Sequence, residues 1–188
     1  MKCVIGITGA SGVIYGVRFL EVLKGEKILV LSETAKDIAR EELGIDPYKI
    51  EEMADVVFRN DDLFAPISSG SHCFDAMVIV PCSEGTVAKI AAGIADSLIT
   101  RVASVALKER RKLILVPRET PVNAIMLENE LKLCRLGAIL LPASPGFYNK
   151  PATVKDLVDF VVGKILDQLG QPHDLYTRWR SGEYEHKG

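Results

Sequence analysis

Short apolar runs alternate with longer stretches in which apolar and polar positions recur at helical spacing. Cys3–Thr8 is a continuous apolar run that ends in Gly9-Ala10-Ser11-Gly12. Val13–Lys24 then reads as a helix, with Leu20 and Leu23 on one face. Lys27–Leu31 is a second strand, and Glu33–Leu43 a second helix closed by Gly44. Ile50–Arg59 carries no clear period, and Asp61–His72 reads as a loop bearing Gly, Ser and Pro. Ala76–Val80 is a third strand that ends at Pro81, followed by helical patterns over Thr86–Ile94 and Ser97–Arg110. Leu113–Val116 is a fourth strand, Asn123–Arg135 a helix, and Ala138–Leu141 a fifth strand. Thr153–Leu169 is the last helix, with Thr153 as its N-cap and Gly170 as its stop.

Strands separated by helices require crossover connections, hence a mostly parallel sheet with helices on both faces. The strands are unbroken apolar runs, as burial on both faces demands. The expected fold is an α/β, Rossmann-like (flavodoxin-like) three-layer sandwich. One domain over residues 1–170 accounts for the pattern, leaving 171–188 as a C-terminal tail, and the pattern leaves open whether that tail covers a site.

Composition narrows the class. The chain has 188 residues, 48% hydrophobic and 26% charged, the balance of a globular domain. Its net charge of −2 offers no basic surface for nucleic acid. The local clusters at Lys108–Lys112 and around Arg178 and Arg180 read as solvated helix ends. Cys3, Cys73, Cys82 and Cys134 form no CxxC pair and stand at no zinc spacing, so neither a metal site nor a disulfide framework is expected. Free thiols, the lack of a signal-peptide pattern and the lack of a long apolar run point to a cytoplasmic protein without a membrane span.

In a sheet of this kind the site lies beyond the carboxyl ends of the strands. Gly9-Ala10-Ser11-Gly12 allows backbone N–H groups and a helix N-terminus to approach a phosphate. It is neither a Walker loop nor a full dinucleotide fingerprint, and a tight turn without a ligand explains it equally well. Ser32 is explained by capping alone. Ser83, Gly85 and Thr86 open a helix and offer hydroxyl and backbone donors, with capping again the alternative. Arg118-Glu119, held between Pro117 and Pro121 beyond a buried strand, favours function over a surface ion pair. Pro142–Tyr148 (PASPGFY) suits an ordered loop against a flat ligand, although packing suffices for Phe147.

Taken together, GITGASG, the SSGS stretch Ser68–Ser71, PCSEGTVAKIAAGIADSLITR, ALKERRKLILVPRETP and PASPGFY resemble the UbiX-like flavin prenyltransferases. They run in the family's order from residue 6 to about 170, and RETP with PASPGFY is the specific combination. The resemblance implies an enzyme that binds reduced FMN as prenyl acceptor. By matching position, Gly9, Ala10, Ser11, Ser32, Ser83, Glu84, Gly85, Thr86 and Arg118 would hold FMN, with Ser11 close to the reacting face. Tyr148 and Lys164 would hold the phosphate of dimethylallyl phosphate. Lys164 stands where some members have Arg, which keeps the charge but loses the bidentate fork. Arg101, Lys108 and Glu119 would surround the reaction centre, and Trp179 matches a C-terminal aromatic of some members.

The family reaction joins a dimethylallyl group to N5 of reduced FMN and closes a ring to C6. The resemblance assigns the leaving phosphate to Lys108, Arg101, Tyr148 and Lys164, and acid/base work to Glu119. No metal is implied, and Asp61-Asp62 is not followed by the rest of a DDxxD motif. Related proteins are homo-oligomers, commonly dodecameric, and the prenylated FMN would serve a UbiD-type decarboxylase. Two alternatives share the fold: an FMN-dependent cysteine decarboxylase, which needs a catalytic His near the flavin, and a non-catalytic flavin-binding protein. The decarboxylases carry that His well upstream of the third strand, whereas His72 follows SSGS and lies only three residues before Asp75, and their PAMN loop is replaced by PASPGFY.

Overall fold

The structure, a computed structural model, describes residues 1–179, so Arg180 and the rest of the tail lie outside it. The chain divides into two compact units, Met1–Ala143 and the part from Ser144 onward. In the first unit the elements run β1 (Lys2–Ile7), α1 (Val13–Val22), β2 (Glu26–Leu31), α2 (Glu33–Leu43), α3 (Pro47–Glu51) and β3 (Val56–Arg59). A 3-10 turn at Pro66–Ser68 leads to β4 (Ala76–Cys82), α4 (Glu84–Ala92), α5 (Leu98–Lys108), β5 (Lys112–Pro117), α6 (Ala124–Arg135) and β6 (Ile139–Leu140). The second unit holds α7 (Val154–Leu169).

The strands form one parallel sheet in the order β3-β2-β1-β4-β5-β6. The chain winds outward from β1 to β3, returns to place β4 beside β1, and winds outward the other way. That reversal opens a crevice between the carboxyl ends of β1 and β4. Residues of β1, β2, β4 and β5 are nearly all buried because both faces are covered. On one face Val4, Val30, Met77, Ile79 and Leu115 pack with Ile99, Val102, Ala103 and Ala106 of α5 and Val87 and Ile90 of α4. The opposite face, carrying Ile7 and Val80, receives α1 with α2 beside it. The Rossmann-like, flavodoxin-like sandwich expected from the pattern is therefore present.

Two elements escaped the pattern. The stretch without a clear period resolves into α3, started by the Asp46 cap and Pro47, and then β3. In β3 alternate residues are exposed, because it is a four-residue edge strand covered on one side only. The third predicted strand, now β4, does not stop at Pro81 but continues to Cys82 through a register shift between Ile79 and Cys82. A proline lacks the N–H for a ladder but is tolerated at such an irregularity. Its carbonyl is used, accepting from the Thr8 N–H at 3.2 Å and the Thr8 hydroxyl at 3.0 Å.

Close packing of α1 on the sheet depends on Gly16. A Cβ there would lie 2.5 Å from the Val80 carbonyl oxygen and 2.8 Å from Ile7 Cδ1. The carbonyl belongs to the central strand and has little room to move. Gly16→Ala is therefore expected to destabilise the fold by about 2 kcal/mol despite the better helix propensity of alanine. Urea unfolding checks this, and an unchanged midpoint would show that α1 can lift off without cost.

Candidate functional site

Three helices begin around the crevice, and each is capped by a serine. Ser32 accepts from the Ala35 N–H at 3.1 Å at the start of α2. Ser83 accepts from the Thr86 N–H at 3.3 Å at the start of α4, and its hydroxyl shares a 2.9 Å hydrogen bond with Thr86 Oγ1. Ser97 and Thr100 form a reciprocal capping box at the start of α5. All three caps line one cavity of about 260 Å³, together with Thr8 and Gly9 after β1, Thr34, Asn60 after β3, and Lys89. Each helix start carries partial positive charge. Their convergence with hydroxyls and one ammonium group, and, among the described residues, with no carboxylate in the lining, is the chemistry of an anion site.

Loops from distant parts of the chain are tied together to hold this shape. Thr8 Oγ1 accepts from the Ser83 N–H at 2.8 Å while donating to Pro81 O, joining the loops after β1 and β4. Asn60 receives the Leu98 N–H on its backbone carbonyl at 2.7 Å and the Ile99 N–H on its side chain at 3.1 Å. Gly9 allows Thr34 to approach, since a Cβ at Gly9 would stand 2.6 Å from Thr34 Cγ2. Lys89 is held at 2.7 Å by Asp96.

Beside the cavity, the guanidinium of Arg118 donates through Nε to Ser11 O at 3.2 Å, and its backbone N–H reaches Cys82 O at 3.4 Å. Glu119 is half-buried next to it and accepts from the Thr120 N–H at 3.2 Å. Gly9, Ala10, Ser11, Ser32, Ser83, Gly85, Thr86, Arg118 and Glu119 thus share one edge of the sheet. Glu84 begins α4 there, but its carboxylate accepts from Asn123 at 2.9 Å instead of lining the cavity.

The helix start nearest the glycine loop behaves differently from the other three. The N–H groups of Gly12 and Val13 at the head of α1 are taken by the Glu42 carboxylate, at 2.8 and 3.3 Å. The Ala10 N–H is spent on Thr8 O. The anion-binding potential expected of α1 is therefore met from within the protein, and α2, α4 and α5 serve the cavity.

Arg101 and Lys108 lie on α5, which starts at the cavity and runs back along the sheet. Arg101 Nε donates to Ser68 O at 2.9 Å. Lys108 pairs with Glu109 at the far end, about 15 Å along the helix axis from its start. That end precedes Lys112, the first residue of β5, so it lies at the amino edge of the sheet. Lys108 and Glu119 of one copy are accordingly at opposite edges. The SSGS stretch is on the same amino side, where Arg111 donates to Gly70 O and His72 O at 2.6 and 2.8 Å. His72 stands just before β4 begins, away from the cavity.

In the second unit, the Tyr148 ring meets Phe160 and Trp179 edge-to-face, with centroids 5.7 and 5.4 Å away. Lys164 is half-exposed on α7 and lies 3.9 Å from Asp167. Tyr148, Lys164 and Trp179 are thus gathered in one unit. Sequence reasoning passed over Thr8, Thr34, Asn60, Lys89, Ser97 and Thr100. The Ser97-x-x-Thr100 spacing was a usable signal, and Asn60 follows a strand whose end would have been inspected had β3 been recognised.

The donor set fits flavin mononucleotide: an anion cavity for a phosphate, with a cation and an acid beside it at the strand ends. Residues 1–166 match the Flavoprotein family model. The chain is 55% identical over 181 residues to a flavin prenyltransferase UbiX of Methanocaldococcus jannaschii, covering 95% of this chain and 98% of the relative. Its structure is similar to that of a dodecameric FMN-dependent UbiX-like decarboxylase of Escherichia coli O157:H7, with a TM-score of 0.93 and 44% identity over 96% of this chain and all of that one. It is equally similar to AnUbiX crystallised with FMN and dimethylallyl pyrophosphate, with a TM-score of 0.93 and 40% identity over 96% and 97% of the two chains.

Proposed function

The chain belongs to the UbiX-like flavin prenyltransferases of the Flavoprotein family, and we propose that it transfers the dimethylallyl group of dimethylallyl phosphate to reduced FMN. The observation that carries the site assignment is the convergence of the α2, α4 and α5 starts on one carboxylate-free cavity beside Arg118 and Glu119. Ser32, Ser83, Gly85 and Thr86 hold the phosphate of FMN there, with Lys89 adding charge. Gly9, Ala10, Ser11 and Arg118 border the flavin, and the hydrogen bond from Arg118 to Ser11 O keeps the loop and the guanidinium in register.

When bound, reduced FMN supplies the nucleophilic N5 and C6 that receive the allyl carbons. The residues position the donor and manage charge and protons. Breaking the allylic C–O bond leaves a positive allyl group and a more negative phosphate. The family resemblance assigns that phosphate to Tyr148, Lys164, Arg101 and Lys108, and the allyl charge to the Trp179 ring. Glu119 donates a proton to the leaving phosphate and assists removal of the ring proton, and Ser11 orients a proton near N5. Because Lys108 and Glu119 lie at opposite edges of one copy, they meet at a reaction centre only when a second copy supplies one of them. The dodecameric relative is consistent with such a shared site.

A cysteine decarboxylase would need a histidine at the cavity. Among the described residues, His72 is at the other sheet edge and His173 is bonded to Asp167. Among the described residues, no helix is long and apolar enough to cross a membrane. We place the protein in the cytoplasm, with a UbiD-type decarboxylase as recipient of its product. The test is anaerobic incubation with reduced FMN and dimethylallyl phosphate, then mass spectrometry of the released flavin. A gain of one isoprene unit is expected. Unmodified flavin with both the monophosphate and the pyrophosphate donor would return the protein to a passive flavin carrier.

A further inference from the structure

One carboxylate in the second unit gathers donors from an entire segment. Asp167, in the last turn of α7, accepts from Arg178 at 2.6 and 3.3 Å and from the Tyr176 hydroxyl at 2.6 Å. The third partner, His173 Nε2, is at 3.1 Å. His173 Nδ1 accepts from the Leu175 N–H at 3.2 Å, so the ring proton that faces Asp167 is on Nε2. These partners all come from the segment that follows α7, and His173 and Tyr176 are buried by the contact. A second feature of α7 matches. At Gly163 a Cβ would stand 2.6 Å from Tyr176 Cε1 and 2.7 Å from His173 Cε1. A glycine inside a helix disfavours the helix, and here it makes room for the segment to lie flush.

We propose that Asp167 is a positioning residue that anchors residues 171–179 on α7 and thereby presents Trp179, Tyr148 and Lys164 as one surface for the allylic phosphate donor. Tyr176 packs on Phe160 at 5.0 Å between centroids, Phe160 on Tyr148, and Tyr148 on Trp179, so a shift of the segment travels through contiguous rings. A carboxylate offers about four acceptor positions, and Arg178, Tyr176 and His173 fill them. Lys164, at 3.9 Å, is drawn in by charge without being used up as a donor. With Arg178 and Lys164 against one carboxylate, the cluster keeps a positive charge that suits a phosphate. Partial burial works to raise the Asp167 pKa, but the hydrogen bonds from Arg178, Tyr176 and His173 and the Arg178 charge outweigh it and hold the group at about 2. A depressed pKa means that the anchor is fully present above the ordinary value of 3.8 and is lost only as pH falls through about 2.

The donor-binding half of this inference rests on the prenyltransferase reading, whereas the anchor does not. Asp167→Asn and Gly163→Ala are compared with the unaltered protein, the second acting by bulk without changing charge. Trypsin can cut after Arg178 only when its side chain leaves Asp167. Cleavage there, read by mass spectrometry, is expected to be about tenfold faster in both variants. The emission of Trp179, the chain's single tryptophan, is expected to shift in both. In steady-state prenyl transfer KM for dimethylallyl phosphate is expected to rise about tenfold with kcat changed less than about threefold, and Asp167→Glu should recover part of the loss. Unchanged cleavage and emission in both variants overturns the anchor. Changed cleavage with an unchanged KM overturns the positioning role. Absence of transfer by the unaltered protein removes the prenyltransferase reading together with the donor half, and the cleavage assay, which needs no substrate, separates that result from failure of the anchor.

Discussion

Glu119→Gln is expected to slow prenyl transfer by about 10²- to 10⁴-fold while FMN stays bound. The substitution keeps the size of the side chain and an oxygen that can accept from the Thr120 N–H, so the loop beyond β5 keeps its shape. Arg118 retains its hydrogen bond to Ser11 O, and the cavity at the starts of α2, α4 and α5 is untouched. What disappears is a group able to give and take a proton. The leaving phosphate then departs as a more basic anion, and the ring proton has no local acceptor. Anaerobic single-turnover transfer followed by flavin mass spectrometry gives the rate, and titration of FMN gives the affinity. A rate within about threefold of the unaltered protein would take Glu119 out of the chemistry. A parallel loss of FMN affinity would instead make it a binding residue.

Lys108→Met is expected to lower transfer by about 10²- to 10³-fold, the scale of losing one preorganised group that meets developing negative charge. The structure makes a sharper statement possible. Lys108 is at the amino edge of the sheet and Glu119 at the carboxyl edge, separated by the length of α5. If each site takes the lysine from one copy and the glutamate from another, two inactive variants can rescue each other. Random co-assembly of Lys108→Met with Glu119→Gln leaves about a quarter of the sites with both native groups. Co-expressed chains carrying separate tags, purified through both, should therefore recover up to about a quarter of the native activity. Mixed assemblies no more active than either variant alone would place both groups in a site made by one chain, or Lys108 outside the site.

Much of this molecule is legible before any coordinates. Strands such as Cys3–Thr8 and Leu113–Val116 announce themselves because a strand buried on both faces must be apolar throughout. The caps at Thr153 and Gly170 and the stop at Gly44 are local hydrogen-bonding and backbone-conformation problems, solved by residues close in sequence. The strand-end rule then points to Ser11, Ser32, Ser83 and Arg118 without knowledge of the strand order. β3 was missed for the converse reason: a short edge strand covered on one side leaves a weak apolar signal.

Tertiary structure alone decided the rest. The sheet order brings the loops after β1 and β4 together, so Thr8 can bridge to Ser83 across 75 positions of sequence. It brings Asn60 to the head of α5, which turns a capping serine, Ser97, into part of the cavity lining. It places Glu42 on the start of α1, so the glycine loop that looks most like a phosphate cradle is partly occupied by the protein's own carboxylate. The same topology puts Lys108 at the far edge from Glu119, although both lie within one short motif region. Asp167 gathers its donors only because the segment after α7 folds back on the helix. Periodicity and capping depend on neighbours along the chain and can be read from it. Which distant groups share a cavity depends on how strands are ordered and helices packed, and no local pattern records that.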